Sequence, residues 1–209
     1  MLYQYSLNPI YKEWEKVYKD LVMLLLSTDS IFPNQSLERE IYVEGLFLRF
    51  VNLWEHFIEG YLLRCMCTAK TSKGVIIKPI RRYNNIDSAF AVLAHDLKKN
   101  RNNYYLDWLS TDFLDNSMKF NFKPNSRVSK NIPHYFPTIA HVSVIRNRIA
   151  HPSLKAEIKF SDLVRKNFGY LSSSSSPSTF LLGKYRGTTM SVFQYYMTEL
   201  NTLSVKLSK

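Results

Sequence analysis

Between Leu46 and Leu62 the chain carries Leu46, Phe47, Leu48, Phe50, Val51, Leu53, Trp54, Phe57, Ile58, Tyr61 and Leu62, so a helix over this stretch is apolar on nearly every side. Such a helix has no face to give to water and belongs in the centre of a bundle or in an interface. The rest of the fold has to cover it. Its polar exceptions, Asn52, Glu55, His56 and Glu59, fall along one stripe, and polar groups on a buried helix need partners. Ser36 is placed to cap its start, and Glu38 and Glu40 occupy the first turn, where the helix dipole favours negative charge. The helix is expected over about 36–67.

Only 6 of the 209 residues are glycine, against ~7% in an average chain, which argues against a turn-rich sandwich or barrel. All eight prolines fit at or between proposed helix ends. Asn8-Pro9 opens a first helix over about 9–28, in which Trp14, Val17, Leu21, Leu24 and Leu25 recur at three-to-four spacing. Asp87 is placed to cap a helix over about 87–98 carrying Phe90, Leu93, Ala94 and Leu97. Further helices are expected over about 104–118, 138–151 and 188–207, the last with Val192, Tyr196, Leu200, Leu203 and Leu207 on one face. A short element is expected around Phe160 to Phe168, and Val75 to Ile77 suits a short strand. The serine run Ser172 to Ser176 reads as a flexible linker within about 169–187. There is no internal repeat. The expectation is one all-α domain over 1–209.

Charge narrows the choice of partner. Lys and Arg number 28 against 17 Asp and Glu, a formal net charge of +11, which raises the local concentration of polyanions, nucleic acid foremost. With 45% hydrophobic and 14% aromatic residues the chain is too apolar for a disordered basic tail. Two stretches concentrate the charge. Residues 70–85 hold Lys70, Lys73, Lys78, Arg81 and Arg82 without an acidic residue; 119–135 hold Lys119, Lys123, Arg127 and Lys130, again without one, interleaved with Phe120, Phe122 and Tyr135. Cations with aromatics suit single-stranded nucleic acid, while a solvated basic loop is the plainer reading of each run. Cys65 and Cys67 sit two apart, and a helix points them about 160° apart, so they neither bridge each other nor form a metal pair. Apolar runs such as Leu21 to Leu26 are far short of the ~20 residues that span a bilayer. A cytoplasmic protein without a membrane partner is the expectation.

The most informative surface lies on the helix from Thr138 to His151, which Pro152 brings to an end. Val142, Ile145 and Ile149 make its core stripe. The opposite face carries Ala140, Ser143, Asn147 and His151, short residues apart from the histidine, so a second helix can approach closely. Arg146 and His151, five residues apart, diverge by about 140° on one helix, while Arg148 and His151 diverge by only about 60°. Within one helix Arg148 is therefore the nearer arginine. Across a twofold axis between two copies, Arg146 of one and His151 of the other can converge into a composite site.

The string Arg146-Asn147-Arg148-Ile149-Ala150-His151 resembles the signature of the HEPN superfamily: Arg, a polar residue, three variable positions, then His. That signature occurs in metal-independent ribonucleases of toxin–antitoxin modules, phage-defence systems and type VI CRISPR effectors. Leu53-Trp54-Glu55-His56-Phe57 on the apolar helix is similar to the Trp-Glu-x-Phe pattern that accompanies the motif in some stand-alone bacterial members. The resemblance implies an up-down helical bundle, to which this chain adds long basic loops, dimerising so that two motif helices form one RNA-cleaving groove. It implies Arg146 and His151 as the catalytic pair, Asn147 as the residue that positions them, and Glu55 as a support for the arginine, with Arg148 as the neighbouring cation. It also implies a cognate antitoxin or a larger defence assembly as partner. Two departures stand out. Pro152 occupies the place where a glycine commonly follows the family histidine, and the two basic stretches have no family counterpart.

The chemistry can be argued without the family. RNA carries its own nucleophile in the 2′-hydroxyl, so cleavage to a 2′,3′-cyclic phosphate needs a base, an acid and a cation for the phosphorane charge. Histidine, with an ordinary pKa of ~6.5, can serve as base, and arginine can grip the phosphate bidentately. No metal or other cofactor is required. The five histidines are scattered, and the carboxylates Glu55 and Glu59 of the apolar helix stand at ligand spacing. Gly74, Gly169, Gly183 and Gly187 are isolated, so there is no phosphate-cradling glycine loop. Plainer roles remain open: His151 as a helix C-terminal cation, Arg146 and Arg148 as surface charges, Trp54 as core, and Glu55 and Glu59 as ion-pair partners of Arg49, Arg64 or the motif arginines. The function class that competes with a ribonuclease toxin or defence effector is a non-catalytic HEPN-like bundle that binds RNA or protein.

Overall fold

A computed structural model describes residues 5–33, 35–98, 106–168 and 176–209. The described residues are mostly helical, in the order β1 (Tyr5–Ser6), α1 (Asn8–Leu26), α2 (Thr28–Ile31), α3 (Leu37–Met66), β2 (Ala69–Lys70), β3 (Ile76–Ile77), α4 (Ile86–Lys98), α5 (Thr111–Asn121), α6 (Arg127–Asn131), a 3₁₀ turn (Ile132–Tyr135), α7 (Phe136–Ala150), α8 (Leu154–Phe168), α9 (Pro177–Leu182) and α10 (Val192–Ser208). No helix among the described residues is long and apolar enough to cross a membrane. They divide into two compact units, with bounds that fall inside α1, α3, α7 and α10.

The first unit takes Met1–Trp14, Glu55–Phe136 and Thr202–Lys209. Its core holds the C-terminal half of α3, where Phe57, Ile58, Tyr61, Leu62 and Cys65 are all buried, and Trp14, Leu114, Val128, Ile132 and Leu203 are buried in the same unit. Trp14 meets Phe57 with ring centroids 5.4 Å apart. The apolar helix is thus covered as its composition demanded. A small sheet lies at the edge: β1 pairs in parallel with β2 (Tyr5 with Ala69), and β2 pairs antiparallel with β3 (Ala69 with Ile77). The strand expected at Val75 to Ile77 is the pair Ile76–Ile77, and Gly74, at φ +85, makes the turn that β2 and β3 share.

Helix α3 ends where Thr68 takes φ +75, a left-handed conformation normally left to glycine or asparagine. A β-branched residue there costs roughly 1–2 kcal/mol. Thr68→Asn should therefore raise the urea midpoint, by about 0.5–1 kcal/mol of stability, since asparagine tolerates that region without glycine's extra unfolded-state freedom. An unchanged or lower midpoint would contradict the strain.

The second unit takes Glu15–Trp54 and Pro137–Asn201. Phe47 and Phe50 of α3 meet Phe193 of α10 at 5.2 and 5.9 Å between centroids. Phe160 of α8 meets Phe180 of α9 edge-on at 5.4 Å. Ser36 caps α3 by accepting from the Arg39 amide at 3.3 Å, as its place in the chain foretold. Trp54 is wholly buried, which agrees with a core role.

Several boundaries differ from expectation, each for a local reason. The first helix stops at Leu26 and not near 28, because the Ser27 and Thr28 hydroxyls both bond back to the Leu24 carbonyl, at 3.0 and 3.3 Å. Asn85, not Asp87, caps α4: its Oδ1 accepts from the Ser88 amide at 2.8 Å. The helix expected over 104–118 is α5, which begins at Thr111 because the Ser110 side chain accepts from the Phe113 amide; 106–110 form turns, and 104–105 lie outside the described residues. The basic stretch 119–135, expected as loop, holds the end of α5, all of α6 and the 3₁₀ turn, anchored by buried Val128 and Ile132. The element around 160–168 extends back to Leu154, where Ser153 caps α8. The last helix starts at Val192, not 188, because Ser191 and Gln194 exchange side-chain-to-amide bonds of 2.8 and 3.2 Å in a capping box. Of the expected linker, 169–175 lie outside the described residues, while Ser176 caps the ordered helix α9.

Candidate active site

Helix α7 owes its limits to proline at both ends: Pro137 lies in its first turn and Pro152 follows its last bonded residue. Thr138, Ile139, Val142 and Ile145 are buried and fix the rotation of the helix. Ile149, the third residue of the expected core stripe, is only half-buried. On the other side Ala140 and Ser143 are half-buried, while Asn147, Ala150 and His151 are exposed. The small-residue face is thus accessible at the C-terminal end of the helix, where His151 stands. Its amide still donates to the Asn147 carbonyl at 3.0 Å, so the imidazole is carried by the last helical turn.

Arg146 and Arg148 have different surroundings. The Arg146 Nη1 donates to the Oδ1 of its chain neighbour Asn147 at 3.1 Å, at the exposed end of the helix. Arg148 acts electrostatically on Glu44 of α3. Burial, the largest effect, pushes the Glu44 carboxyl up, as does Glu40; a backbone hydrogen bond at Ser178 and, least of all, Arg148 pull it back. Of the two arginines left open by helix geometry, Arg148 has a carboxylate in its own unit and Arg146 has Asn147.

Glu55 is 9% exposed and belongs to the first unit, whereas Arg146, Asn147, Arg148 and His151 belong to the second. Glu59, for which an ion pair was one of the roles left open, bonds to an aromatic side chain. Its Oε2 accepts from the Trp108 indole Nε1 at 2.6 Å, an interaction that needed the intervening chain to fold back. Among the described residues no group of three or more His, Cys, Asp and Glu side chains converges as a metal site.

Two residues near the motif escaped the sequence reading. His141, on α7 itself, places its Nδ1 3.3 Å from the Tyr196 hydroxyl of α10, with the rings edge-on at 6.1 Å. Its spacing of seven residues from Arg148 puts both on one side of the helix, which was the available signal. Glu44 was signalled only by the Glu40/Glu44 spacing on α3. Burial pushes the His141 imidazole below its ordinary value. The unfolded chain therefore takes up this proton first as pH falls, so stability is complete above about pH 6.5 and is lost as pH drops through the lower folded-state value. His141→Gln should flatten that acid limb in urea titrations across pH; an unaltered pH profile would show that the limb comes from another group.

The nine basic candidates all belong to the first unit, and their surroundings sort them. The Arg82 Nε donates to the Cys67 carbonyl at 3.3 Å, just past the end of α3. The Arg127 Nε donates to the Lys206 carbonyl at 2.7 Å in the last turn of α10. Both arginines thereby satisfy carbonyls at helix ends. Lys119 pairs with Asp115 one turn earlier. Lys70, Lys73, Lys78, Lys123 and Lys130 are exposed, and the Arg81 guanidinium lies over the Phe120 ring, 5.5 Å from its centroid. No established protein-family model matches this chain, and neither a curated protein nor a solved structure does; its functional reading rests on the residues of the Arg146 to His151 helix end.

Proposed function

We propose that this chain is a metal-independent endoribonuclease, a HEPN-like toxin or phage-defence effector that works as a homodimer through its motif helix. The observation that carries the reading is the end of α7, where Arg146 donates to Asn147 at 3.1 Å and His151 stands exposed on the same stripe. Two such faces, brought together across a twofold axis, set Arg146 of one copy beside the partner's His151. One imidazole takes the proton from the 2′-hydroxyl, the 2′-oxygen attacks phosphorus, and the bond to the 5′-oxygen breaks. A protonated imidazole returns a proton to that leaving oxygen, and the arginine holds the non-bridging oxygens as charge builds on them. The products are a 2′,3′-cyclic phosphate and a 5′-hydroxyl. An antitoxin or defence-complex partner would act by covering this helix end.

The test is incubation of purified protein with total cellular RNA in excess EDTA, followed by analysis of fragment ends. Fragments with 2′,3′-cyclic phosphate ends support the reading. Intact RNA alongside a clear gel shift would leave the bundle as an RNA-binding module, a reading favoured by the exposed cations of the first unit.

A further inference from the structure

In the first unit the two basic stretches, about forty residues apart in the chain, are joined by one backbone bond: the Ile80 amide donates to the Asn121 carbonyl at 2.7 Å. That bond sets the loop after β3 against the C-terminal end of α5. It brings Arg81 of one stretch over Phe120 of the other, with Lys78 two residues before Ile80 and Lys123 two residues after Asn121 in the chain. Phe120 is 50% exposed, yet it is not a stray apolar side chain, because the Arg81 guanidinium lies over its ring. A cation fixed over a half-exposed ring gives a flat, positively charged platform.

Phe120 also lines a cleft of about 550 Å³, together with Leu93, Phe113, Asn116, Ser117, Lys119 and Asn121. One of these side chains is held in place. The Asn121 side chain is buried, donating to the Ser117 carbonyl at 2.8 Å and accepting from the Tyr83 hydroxyl at 3.4 Å. A cleft whose lining is largely apolar, with a fixed amide at Asn121, the Phe120 ring and the Lys119 ammonium, matches the chemistry of an unpaired base on a phosphate backbone. A duplex, with its bases stacked inward, offers nothing to the ring. Neither stretch of chain, 70–85 or 119–135, contains an acidic residue, and the nearby Asp115 is taken up by Lys119.

From this geometry we infer that the first unit carries a binding site for single-stranded nucleic acid, in which a base stacks on Phe120 at the cleft while Arg81, Lys78 and Lys123 hold its flanking phosphates. The site goes beyond the ribonuclease reading, since capture of a strand at Phe120 asks nothing of His151.

Fluorescence anisotropy with short labelled oligouridylate, oligothymidylate and a self-complementary RNA duplex tests it. Phe120→Ala should weaken binding of both single strands about tenfold or more, the loss of one stacked base, and Phe120→Trp should restore it. Arg81→Gln should weaken binding and reduce the slope of log Kd against log salt by about 0.7 for one lost phosphate contact. Oligothymidylate has no 2′-hydroxyl and cannot be cut, so its binding is read independently of catalysis. Tighter binding of oligouridylate identifies RNA as the ligand, and equal binding a general single-strand site; both support the inference. It is overturned if wild type fails to bind either single strand at low salt, if Phe120→Ala binds as wild type, or if the duplex binds as tightly as the single strands.

Discussion

His151→Ala should lower EDTA-resistant RNA cleavage by about 10²- to 10⁴-fold, the range removed with one general acid–base group, while melting temperature stays within error of wild type. The second half of that expectation follows from exposure: His151 is open to solvent, and its structural contribution is a backbone bond that alanine keeps. Arg146→Lys should also cut poorly, because an ammonium retains the charge but not the paired donors that grip two phosphate oxygens. A composite site adds a sharper outcome. Arg146→Ala and His151→Ala chains, each inactive alone, should regain activity when mixed and allowed to exchange. A mixed dimer would hold one complete Arg–His pair, so about a quarter of the wild-type sites would return at equal mixing. No recovery with demonstrated exchange would place both residues of the working pair on one chain. If single variants cut like wild type, His151 is a helix-end cation only.

Trp108→Ala should cost the first unit about 3–5 kcal/mol in urea unfolding followed by far-ultraviolet circular dichroism. Trp108 is 2% exposed, packs edge-on against Phe113 at 5.1 Å and donates its indole N–H to Glu59. Truncation removes that ring and leaves the Glu59 carboxylate without its indole donor. Two further variants separate the contributions. Trp108→Phe keeps most of the volume and should cost about 1–3 kcal/mol, the share of the lost charge-assisted bond. Glu59→Gln keeps an acceptor at the same place and should cost less. A Trp108→Phe variant as stable as wild type would show that Glu59 gains nothing from the indole, and would reopen it for another role.

The motif helix was legible because its signal is local. A 3.6-residue period, prolines at its two ends and a buried Val142 and Ile145 follow from fourteen contiguous residues. Asn147 and His151 were placed on one face by the same arithmetic, and they are exposed on it. The apolar run of α3 was equally readable, since no surface helix tolerates Phe47, Phe50, Trp54 and Phe57 together. Element ends were harder. The Ser191–Gln194 capping box had a readable pattern, but the aromatic and aliphatic periodicity of α10 ran on past it.

Side-chain partners were not legible, and the reason is chain separation. Glu59 finds Trp108 across 49 positions, and Arg127 finds a carbonyl of α10 across 79. A run of positive charge looks uniform in sequence, yet Arg82 and Arg127 are engaged at helix ends while Arg81 is laid over Phe120. Which cations are occupied by carbonyls and which remain for a ligand depends on what the fold brings within about 3 Å. Composition and periodicity by themselves determined a helical protein with a buried aromatic helix and a second helix exposing Asn147 and His151, because burial repeats with the helical turn. Only the tertiary structure decided the partners of Glu59, Arg148 and Arg81, because hydrogen bonds and ring contacts are made between elements that meet only after the chain has folded.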